Sequence, residues 1–228
     1  MTSARVLVVD DEPQIQRFLK PALTAAGYEV LQAMTGAEAL RMLATSAPDA
    51  MILDLGLPDM DGKDVIANAR AWSQVPIIIL SARDRESEKI AALDLGADDY
   101  IEKPFGIGEL TARIRTALRH KVHQDGAVTT FSADGLVVDT LKRLVTRDGE
   151  SVRLTPKEYD LLAMLVHHAG RVVTHRALLV AVWGAAHGED VQYLRVFVGQ
   201  LRAKIERDAA NPVILQTEPG VGYRLVVD

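Results

Sequence analysis

Residues 6–12 read Val-Leu-Val-Val-Asp-Asp-Glu, an apolar run of strand length that ends in three acidic side chains. A short, continuously apolar run is typical of a strand that is buried on both faces. Three later apolar runs are also followed by polar groups that can do chemistry: Asp54 and Gly56 after residues 51–53, Ser81 after residues 77–80, and Lys103-Pro104 after residues 100–101. The spacing predicts that these groups lie at the ends of strands.

Helical patterns separate the apolar runs. The predicted strands are 6–9, 30–33, 51–53, 77–80 and 100–101, and the predicted helices are 13–26, 37–44, 63–71, 86–95 and 108–119. This alternation predicts a doubly wound α/β domain, a (βα)5 unit with a parallel sheet and helices on both faces. The expected strand order is 2-1-3-4-5, and ligands bind at the carboxyl edge of such a sheet.

The groups expected to act at that edge are the carboxylates of Asp10, Asp11 and Asp54, the hydroxyl of Ser81 and the ammonium of Lys103. Carboxylate oxygens suit a divalent cation, and a lysine supplies a compact positive charge for phosphoryl oxygens. A single carboxylate at a strand end is usually an ordinary loop residue, but this combination at four strand ends is hard to obtain by chance. The sequence therefore predicts a site for a metal ion and a phosphoryl group.

Residues 5–120 resemble the receiver domain of two-component response regulators. The resemblance implies that Asp54 accepts a phosphoryl group, with Lys103 and Ser81 beside it, and that Tyr100 turns inward in a switch coupled to Ser81. It also implies a cis bond between Lys103 and Pro104. The cofactor expected is Mg²⁺, held by Asp10, Asp11, Asp54 and the backbone carbonyl of Gly56, with Asp10 acting directly or through water.

A phosphatase of the haloacid-dehalogenase type is the rival interpretation, because it also uses a nucleophilic Asp at a strand end. Such an enzyme needs a second Asp two residues further on as the general acid, and this chain has Gly56 there. Asp59 and Asp61 lie too far along the loop to replace it simply. We therefore expect no enzyme acting on outside substrates, only a chain that accepts a phosphoryl group on its own Asp54 and slowly autodephosphorylates.

Length, composition and charge limit the number of domains and the class of protein. A chain of 228 residues with 48% apolar residues predicts one large or two ordinary domains. Without a signal-peptide pattern or a membrane-length apolar run, we expect a cytoplasmic protein. The absence of cysteines excludes disulfides and thiolate metal sites but is neutral on compartment. Residues 1–120 carry 13 basic and 18 acidic side chains and residues 121–228 carry 13 of each, so the net charge of −5 belongs to the first half.

The pattern changes after residue 120. We assign residues 1–120 to the first domain, 121–127 to a linker and 128–228 to a second domain. In the second domain the predicted strands are 128–131, 136–138, 144–146, 152–154, 214–217 and 223–227, with Asp-Gly turns at 134–135 and 148–149. The predicted helices are 156–168, 175–182 and 191–206. This order predicts a small sheet, three helices and a closing hairpin.

The second domain resembles the α+β winged-helix DNA-binding domain of the OmpR/PhoB class. Thr155 and Glu158 form a predicted capping box, and in residues 191–206 an apolar stripe of Leu194, Val198, Leu201 and Ile205 marks the buried side of a candidate recognition helix. Gln200 is suited to bond adenine, and Arg195 or Arg202 to bond guanine or phosphate. We expect Gln200 and Arg202 to contact bases and Arg224 to contact a phosphate. The candidate DNA-binding residues are Tyr193, Arg195, Val196, Gly199, Gln200, Arg202, Lys204, Thr217, Gly222, Tyr223 and Arg224. Pro219 stands where wings of this class often carry an arginine, which argues against base reading in the minor groove.

The same class implies a phosphorylation-dependent homodimer. The expected interchain pairs are Lys89 with Glu109, Asp94 with Arg115, and Asp99 with Arg113.

Segments such as Tyr193–Arg202 and Thr217–Arg224 are similar to response regulators of Kdp potassium-uptake systems. That similarity implies a KdpD-like sensor histidine kinase, promoter DNA of a potassium-pump operon and RNA polymerase as partners. An adaptor whose second domain binds protein is the alternative.

Overall fold

The computed structural model describes residues 3–82, 86–124 and 130–227. The chain divides into two compact units, Met1–Val122 and His123–Asp228. Each unit has its own hydrophobic core, so each is described by itself. In the part of the chain that is described, no helix is both long enough and apolar enough to cross a membrane.

The first unit is the predicted doubly wound α/β domain. Its strands are β1 (Arg5–Val9), β2 (Glu29–Ala33), β3 (Ala50–Asp54), β4 (Ile77–Ala82) and β5 (Asp99–Lys103). Its helices are α1 (Pro13–Ala25), α2 (Gly36–Ser46), α3 (Gly62–Arg70), α4 (Glu86–Asp94) and α5 (Ile107–Gln124). All strand pairs are parallel, and the order β2-β1-β3-β4-β5 is the one predicted.

Apolar strands surrounded by amphipathic helices explain this arrangement. Val6–Val9 and Met51–Leu53 are fully buried, as expected for strands covered on both faces. Leu19 and Leu23 of α1 pack against the same core. The parallel register then brings the carboxyl ends of β1, β3, β4 and β5 to one edge of the sheet.

The predicted linker is partly helical. Helix α5 continues to Gln124, whereas the sequence suggested that periodicity stops near residue 120. Residues 120–124 have no Gly or Pro that would end a helix, so α5 extends through them. Residues 125–129, which include the rest of the linker and the start of the strand predicted at 128–131, lie outside the described residues.

The second unit contains seven strands and three α-helices among the residues described. The strands are β6 (Thr130–Ala133), β7 (Leu136–Asp139), β8 (Leu144–Arg147), β9 (Glu150–Ser151), β10 (Val172–Thr174), β11 (Leu215–Glu218) and β12 (Gly222–Leu225). The helices are α6 (Pro156–His167), α7 (His175–Trp183) and α8 (Val191–Ile205). They form an antiparallel sheet β6-β7-β8-β9, a second sheet β10-β12-β11 and a helical layer.

One strand prediction in this unit was wrong, and one strand was missed. Residues 152–154 are not a strand, because the two-residue turn at Asp148-Gly149 returns the chain at once and pairs Arg147 with Glu150. Both turn residues have positive φ, as a type I′ hairpin requires. Strand β10 was missed, because three residues are too few to show a period; it joins the sheet by pairing with β12.

The predicted capping box is present and also ties two helices together. Thr155 Oγ1 accepts from the Glu158 N–H, and Glu158 Oε2 accepts from the Thr155 N–H at 2.7 Å. Lys204 Nζ of α8 donates to the same Glu158 Oε2 at 2.6 Å. Glu158 is buried, so this ion pair fixes α8 against the start of α6.

Gly222 provides a stability test of the sheet β10-β12-β11. A Cβ added at Gly222 would lie 2.0 Å from the Val173 carbonyl oxygen, whereas one added at Gly199 meets nothing within 4 Å. We expect Gly222→Ala to destabilise the protein by about 2 kcal/mol or more through overpacking. The matched control Gly199→Ala should stabilise it by up to about 1 kcal/mol, since alanine is the better helix former. Calorimetry showing equal unfolding temperatures for the two variants would contradict the described contact.

Candidate functional site

Lys103 lies at the centre of an acid pocket at the carboxyl edge of the first sheet. Its Nζ is 2.6 Å from Asp54 Oδ1, 3.2 Å from Asp10 Oδ2 and 3.5 Å from Glu12 Oε1. Asp10 directly follows β1, Asp54 is the last residue of β3, and Lys103 is the last residue of β5. The edge predicted from the sequence therefore brings these groups together, and Lys103–Pro104 has the cis geometry that was expected.

The pocket shifts the protonation equilibria of its members. Burial raises the pKa of Asp10, and the Glu12 backbone hydrogen bond and the charge of Lys103 only partly oppose this effect. Burial alone would lower the pKa of Lys103, but the hydrogen bonds and charges of Asp54 and Asp10 outweigh it, so the pKa of Lys103 is raised. The ammonium therefore stays charged and holds the carboxylates together.

The loop after β3 is held by backbone bonds. The Gly56 N–H donates to Asp54 Oδ2 at 2.7 Å, which fixes the second oxygen of the carboxylate. Gly56 also forms an isolated bridge with Asp61. Asp59 accepts from the backbone N–H groups of Gly36 and Ala37 at 2.8 and 2.9 Å, so the loop is attached to the start of α2.

Sequence reasoning did not identify Gln16 as part of this site. Its side-chain amide donates to the carbonyl oxygens of Val8, Asp10 and Ala33 at 3.3, 3.0 and 2.9 Å. Gln16 is buried and therefore ties the ends of β1 and β2 together beneath the acid pocket. The sequence did contain a signal for it. Gln16 stands three positions before Leu19 and seven before Leu23, which places a polar side chain on the buried face of α1.

A shallow pocket of about 210 Å³ opens beside Asp54. It is lined by Glu12, Asp54, Leu55, Gly56, Leu80, Ser81, Glu88 and Lys103. Ser81 is buried at the end of β4 and shares this pocket with Asp54 and Lys103. Tyr100 is also buried, and its ring lies 5.3 Å from Lys89 Nζ. The two residues proposed for a switch thus lie on adjacent strands.

The donor set fits a hard divalent cation. Asp10, Glu12 and Asp54 surround one ammonium, so the pocket has an excess of negative charge and carboxylate oxygens, which is the chemistry that Mg²⁺ prefers. Asp11 follows directly and is partly exposed. Among the residues described, no three acidic or histidine side chains are already arranged to enclose an ion; in this structure Lys103 lies between the carboxylates.

The residues expected at a dimer interface make several ion pairs within the chain. Lys89 is buried and lies 2.5 Å from Glu102. Arg113 contacts both Asp99 at 3.2 Å and Glu109 at 3.7 Å. Asp94 and Arg115 are exposed. The pair Asp99–Arg113, expected between chains, is thus formed inside one chain.

Helix α8 has the two-sided character that the sequence predicted. Leu194, Val198, Leu201 and Ile205 are buried in the core of the second unit. The opposite side exposes polar, small and basic residues together with two large hydrophobic ones, Tyr193 and Val196; the full set is Gln192, Tyr193, Arg195, Val196, Gly199, Gln200 and Ala203. A helix that leaves such a face uncovered has the form required to enter the major groove of DNA.

Several residues predicted to bind DNA are used inside the domain instead. Lys204 is bound to Glu158, as described above, and Arg202 donates to the carbonyl oxygen of Leu215. Arg224 is buried and donates to Glu218 Oε1 at 2.7 Å and to the Gly170 carbonyl oxygen at 2.8 Å. Gly222 and Tyr223 are buried too, whereas Thr217 is exposed. The expected phosphate contact of Arg224 has no support in this geometry, because its charged group is already neutralised.

The raised pKa of Asp10 predicts the effect of neutralising it. A folded-state pKa above the ordinary 3.8 means that the favourable contribution of Asp10 is complete below that value and is lost as pH rises through the folded pKa. We therefore expect Asp10→Asn to raise the unfolding temperature at about pH 7, and this difference to disappear at about pH 3. Thermal unfolding across this range is the measurement, with the exposed Glu29→Gln as control. A variant that is less stable than the wild type at neutral pH would contradict the burial argument.

Comparison with known proteins accounts for both units. Residues 6–115 match the response regulator receiver domain family, and residues 149–225 match the C-terminal domain of transcriptional regulatory proteins. The chain is 50% identical over 222 residues to the KDP operon transcriptional regulatory protein KdpE of Escherichia coli K12, covering 97% of this chain and 99% of the relative. It is 48% identical over 220 residues to KdpE of Mycobacterium tuberculosis H37Rv, covering 96% and 97%.

The chain is also similar to a solved structure. The response regulator DrrB of Thermotoga maritima, an OmpR/PhoB homolog, superposes with a TM-score of 0.52 at 26% identity, covering 99% of this chain and 100% of the other. The acid pocket belongs to the receiver part of these matches, and the exposed face of α8 belongs to the regulatory part. The chain therefore belongs to the OmpR/PhoB class of two-component response regulators.

Proposed function

We propose that a sensor histidine kinase phosphorylates this chain on Asp54, and that the phosphorylated form binds promoter DNA of a potassium-transport operon in the cytoplasm. The observation that carries the proposal is the Lys103 ammonium 2.6 Å from Asp54 Oδ1 in a pocket open to solvent. The potassium-transport target is supported by the similarity to KdpE proteins over nearly the full chain. The kinase partner is supported by the receiver family.

The chemistry proposed is transfer of one phosphoryl group to a carboxylate. A carboxylate oxygen of Asp54 forms the new P–O bond while the P–N bond of the kinase phosphohistidine breaks, and the imidazole that leaves takes up a proton. Lys103 stabilises the negative charge on the phosphoryl oxygens, and the Ser81 hydroxyl at the pocket wall donates a hydrogen bond. No general acid stands at Gly56, so we propose that autodephosphorylation is slow.

Mg²⁺ is the cofactor proposed for this step. The residues that would hold it are Asp10, Asp11 and Asp54 together with the Gly56 carbonyl, because the pocket already concentrates negative charge around Lys103. When bound, the ion supplies charge neutralisation at the phosphoryl oxygens. Asp10 and Asp54 repel each other, and a cation relieves this repulsion.

The DNA-binding step is assigned to the exposed face of α8. We propose that α8 enters the major groove, and that the hairpin β11–β12 lies on the flanking backbone. Gln200 is suited to bond adenine and Arg195 to bond guanine or phosphate, and both side chains are exposed. Residues 121–228 carry no net charge, so the exposed Arg195 of α8 supplies local attraction to the phosphates.

Dimerisation is proposed through α4, β5 and α5. Arg113 already pairs with Asp99 inside the chain, so forming the dimer would exchange an intrachain pair for an interchain one. Partly exposed pairs are worth only about 0–1 kcal/mol each, so this exchange is nearly balanced. Phosphorylation at Asp54, coupled through Ser81 and Tyr100, is proposed to shift that balance. RNA polymerase is proposed as the partner at the promoter.

Protection mapping of the DNA upstream of the potassium-pump operon tests the target. We expect the phosphorylated protein to protect a discrete site there and to leave unrelated promoters unprotected. Protection of other promoters alone would contradict the potassium assignment but leave the regulator function intact.

Asp54 is expected to be the sole phosphorylated residue. Incubation with a small phosphodonor and Mg²⁺ should add one phosphoryl group to the wild type, and Asp54→Asn should abolish the addition because the amide is not a nucleophile. The nearby Asp61→Asn, which changes an exposed acid in the same loop, is the matched control and should still be labelled. Intact-protein mass spectrometry gives the answer, and unchanged incorporation in Asp54→Asn would refute the assignment. Chelation of Mg²⁺ should abolish labelling of the wild type.

Charge reversal tests the dimer interface. Arg113→Glu should weaken dimerisation of the phosphorylated protein about tenfold, since a repulsive pair replaces an attractive one. Adding Asp99→Arg should partly restore it. The control Arg41→Glu makes the same charge change on the exposed surface of α2, outside the proposed interface, and should have no effect. Sedimentation that shows no loss in Arg113→Glu, or no recovery in the double variant, would count against this interface.

A further inference from the structure

The outer edge of the closing hairpin is bound by side chains of α8. Strand β11 is an edge strand, because the sheet order is β10-β12-β11. On the side away from β12, the Leu215 carbonyl oxygen accepts from Arg202 Nε at 3.0 Å and from Arg202 Nη2 at 2.7 Å. Arg202 Nη2 also donates to Thr217 Oγ1 at 2.8 Å. One guanidinium therefore donates hydrogen bonds to two residues of this edge strand.

Glu206 completes the attachment one helical turn further on. Its carboxylate accepts from the backbone N–H groups of Val213 at 3.1 Å, Ile214 at 3.0 Å and Leu215 at 2.7 Å. Glu206 is buried, so these bonds are shielded from water. Arg202 and Glu206 therefore hold both polar groups of the Leu215 peptide, and we call this pair the edge clamp.

The edge clamp joins the two parts of the domain that are proposed to touch DNA. Arg202 lies in the last turn of α8 and Glu206 is the first residue after the helix. Arg195, seven positions before Arg202 and therefore on the same side of α8, is exposed, as are Val196 and Gln200. The guanidinium carbon of Arg202 is also 5.8 Å from the centroid of the Tyr223 ring in β12. Burial lowers the pKa of Arg202, which agrees with a group placed inside the domain.

We propose that Arg202 is a positioning residue for DNA binding, and that the edge clamp sets the spacing between α8 and the hairpin β11–β12. A helix in the major groove and a hairpin on the flanking backbone can both engage one duplex only if that spacing matches the DNA. This inference rests on the proposed DNA binding of the second unit. It replaces the expectation that Arg202 reads a base or holds a phosphate.

Salt dependence separates the two roles. Each phosphate contact adds about 0.9 to the slope of log affinity against log salt concentration. If Arg202 holds a phosphate, Arg202→Met lowers the slope by about that amount and Arg202→Lys restores it. If Arg202 positions the hairpin, both variants lose the fork of donors to Leu215 and Thr217. Both should then bind about tenfold more weakly, with an unchanged slope, because the one cation among residues 215–225, Arg224, is buried and the hairpin contacts that are lost come from uncharged groups.

Glu206→Gln gives an independent test with the opposite electrostatic sign. Removal of a negative charge should strengthen attraction to DNA if charge alone matters. A single amide oxygen cannot replace two carboxylate oxygens at three N–H groups, so the edge-clamp proposal predicts weaker binding instead. Calorimetry of each variant must show it folded at the assay temperature. If Glu206→Gln does not fold, the comparison of Arg202→Lys with Arg202→Met decides alone.

The measurement uses the full-length phosphorylated protein and a duplex selected from a random-sequence library by the wild type. Arg195→Met is the matched control, because Arg195 is an exposed arginine two turns before Arg202 in the same helix; it should lower the slope. Cleavage protection should show loss of the backbone contacts beside the hairpin while the major-groove contacts remain, which general destabilisation would not produce. A lower slope in Arg202→Met, or unchanged affinity in Arg202→Lys, would overturn the inference. Failure of the wild type to select any duplex would instead overturn the proposed DNA binding.

Discussion

The salt bridges from Lys103 to both Asp10 and Asp54 are the constraint around which the first unit is organised. Two carboxylates approach one another at the end of a parallel sheet, and one of them is fully buried. A single ammonium within 3.2 Å of both makes this arrangement stable. Gln16, which joins the ends of two strands, and Asp59, which attaches the loop after β3 to α2, keep the carboxylates in place. A phosphoryl group on Asp54 would therefore change the charge balance at a point to which several elements are attached.

The face proposed for dimerisation is built on the same principle of shared partners. Arg113 divides its charge between Asp99 and Glu109, and Lys89 serves Glu102 and the Tyr100 ring. Each of these groups already has a partner within the chain. A second chain therefore offers replacement bonds rather than additional ones, so the gain from association is small. A weak, phosphorylation-controlled dimer is the expected consequence.

The second unit uses many of its cations internally. Arg202, Lys204 and Arg224 look like DNA contacts in the sequence, but their charged groups bind Leu215 and Thr217, Glu158, and Glu218, respectively. The free face of α8 retains Arg195 with Gln200, Val196 and Gly199. Under the proposals above, recognition of DNA by this chain depends on few exposed charges and on the relative position of the helix and the hairpin.

The sequence by itself determined the two-domain order, the strand order of the first sheet, the pocket residues Asp10, Asp54 and Lys103, and the buried stripe of α8. These features depend on strong hydrophobic periodicity and on the rule that parallel strands present their carboxyl ends together. Tertiary structure alone decided where α5 ends, that residues 172–174 pair with β12, that Gln16 supports the pocket, and that Arg202 and Arg224 point into the domain. The reason is that the ends of elements and the direction of long side chains depend on partners distant in the sequence, such as Leu215 for Arg202. Composition and spacing alone carry no information about such partners.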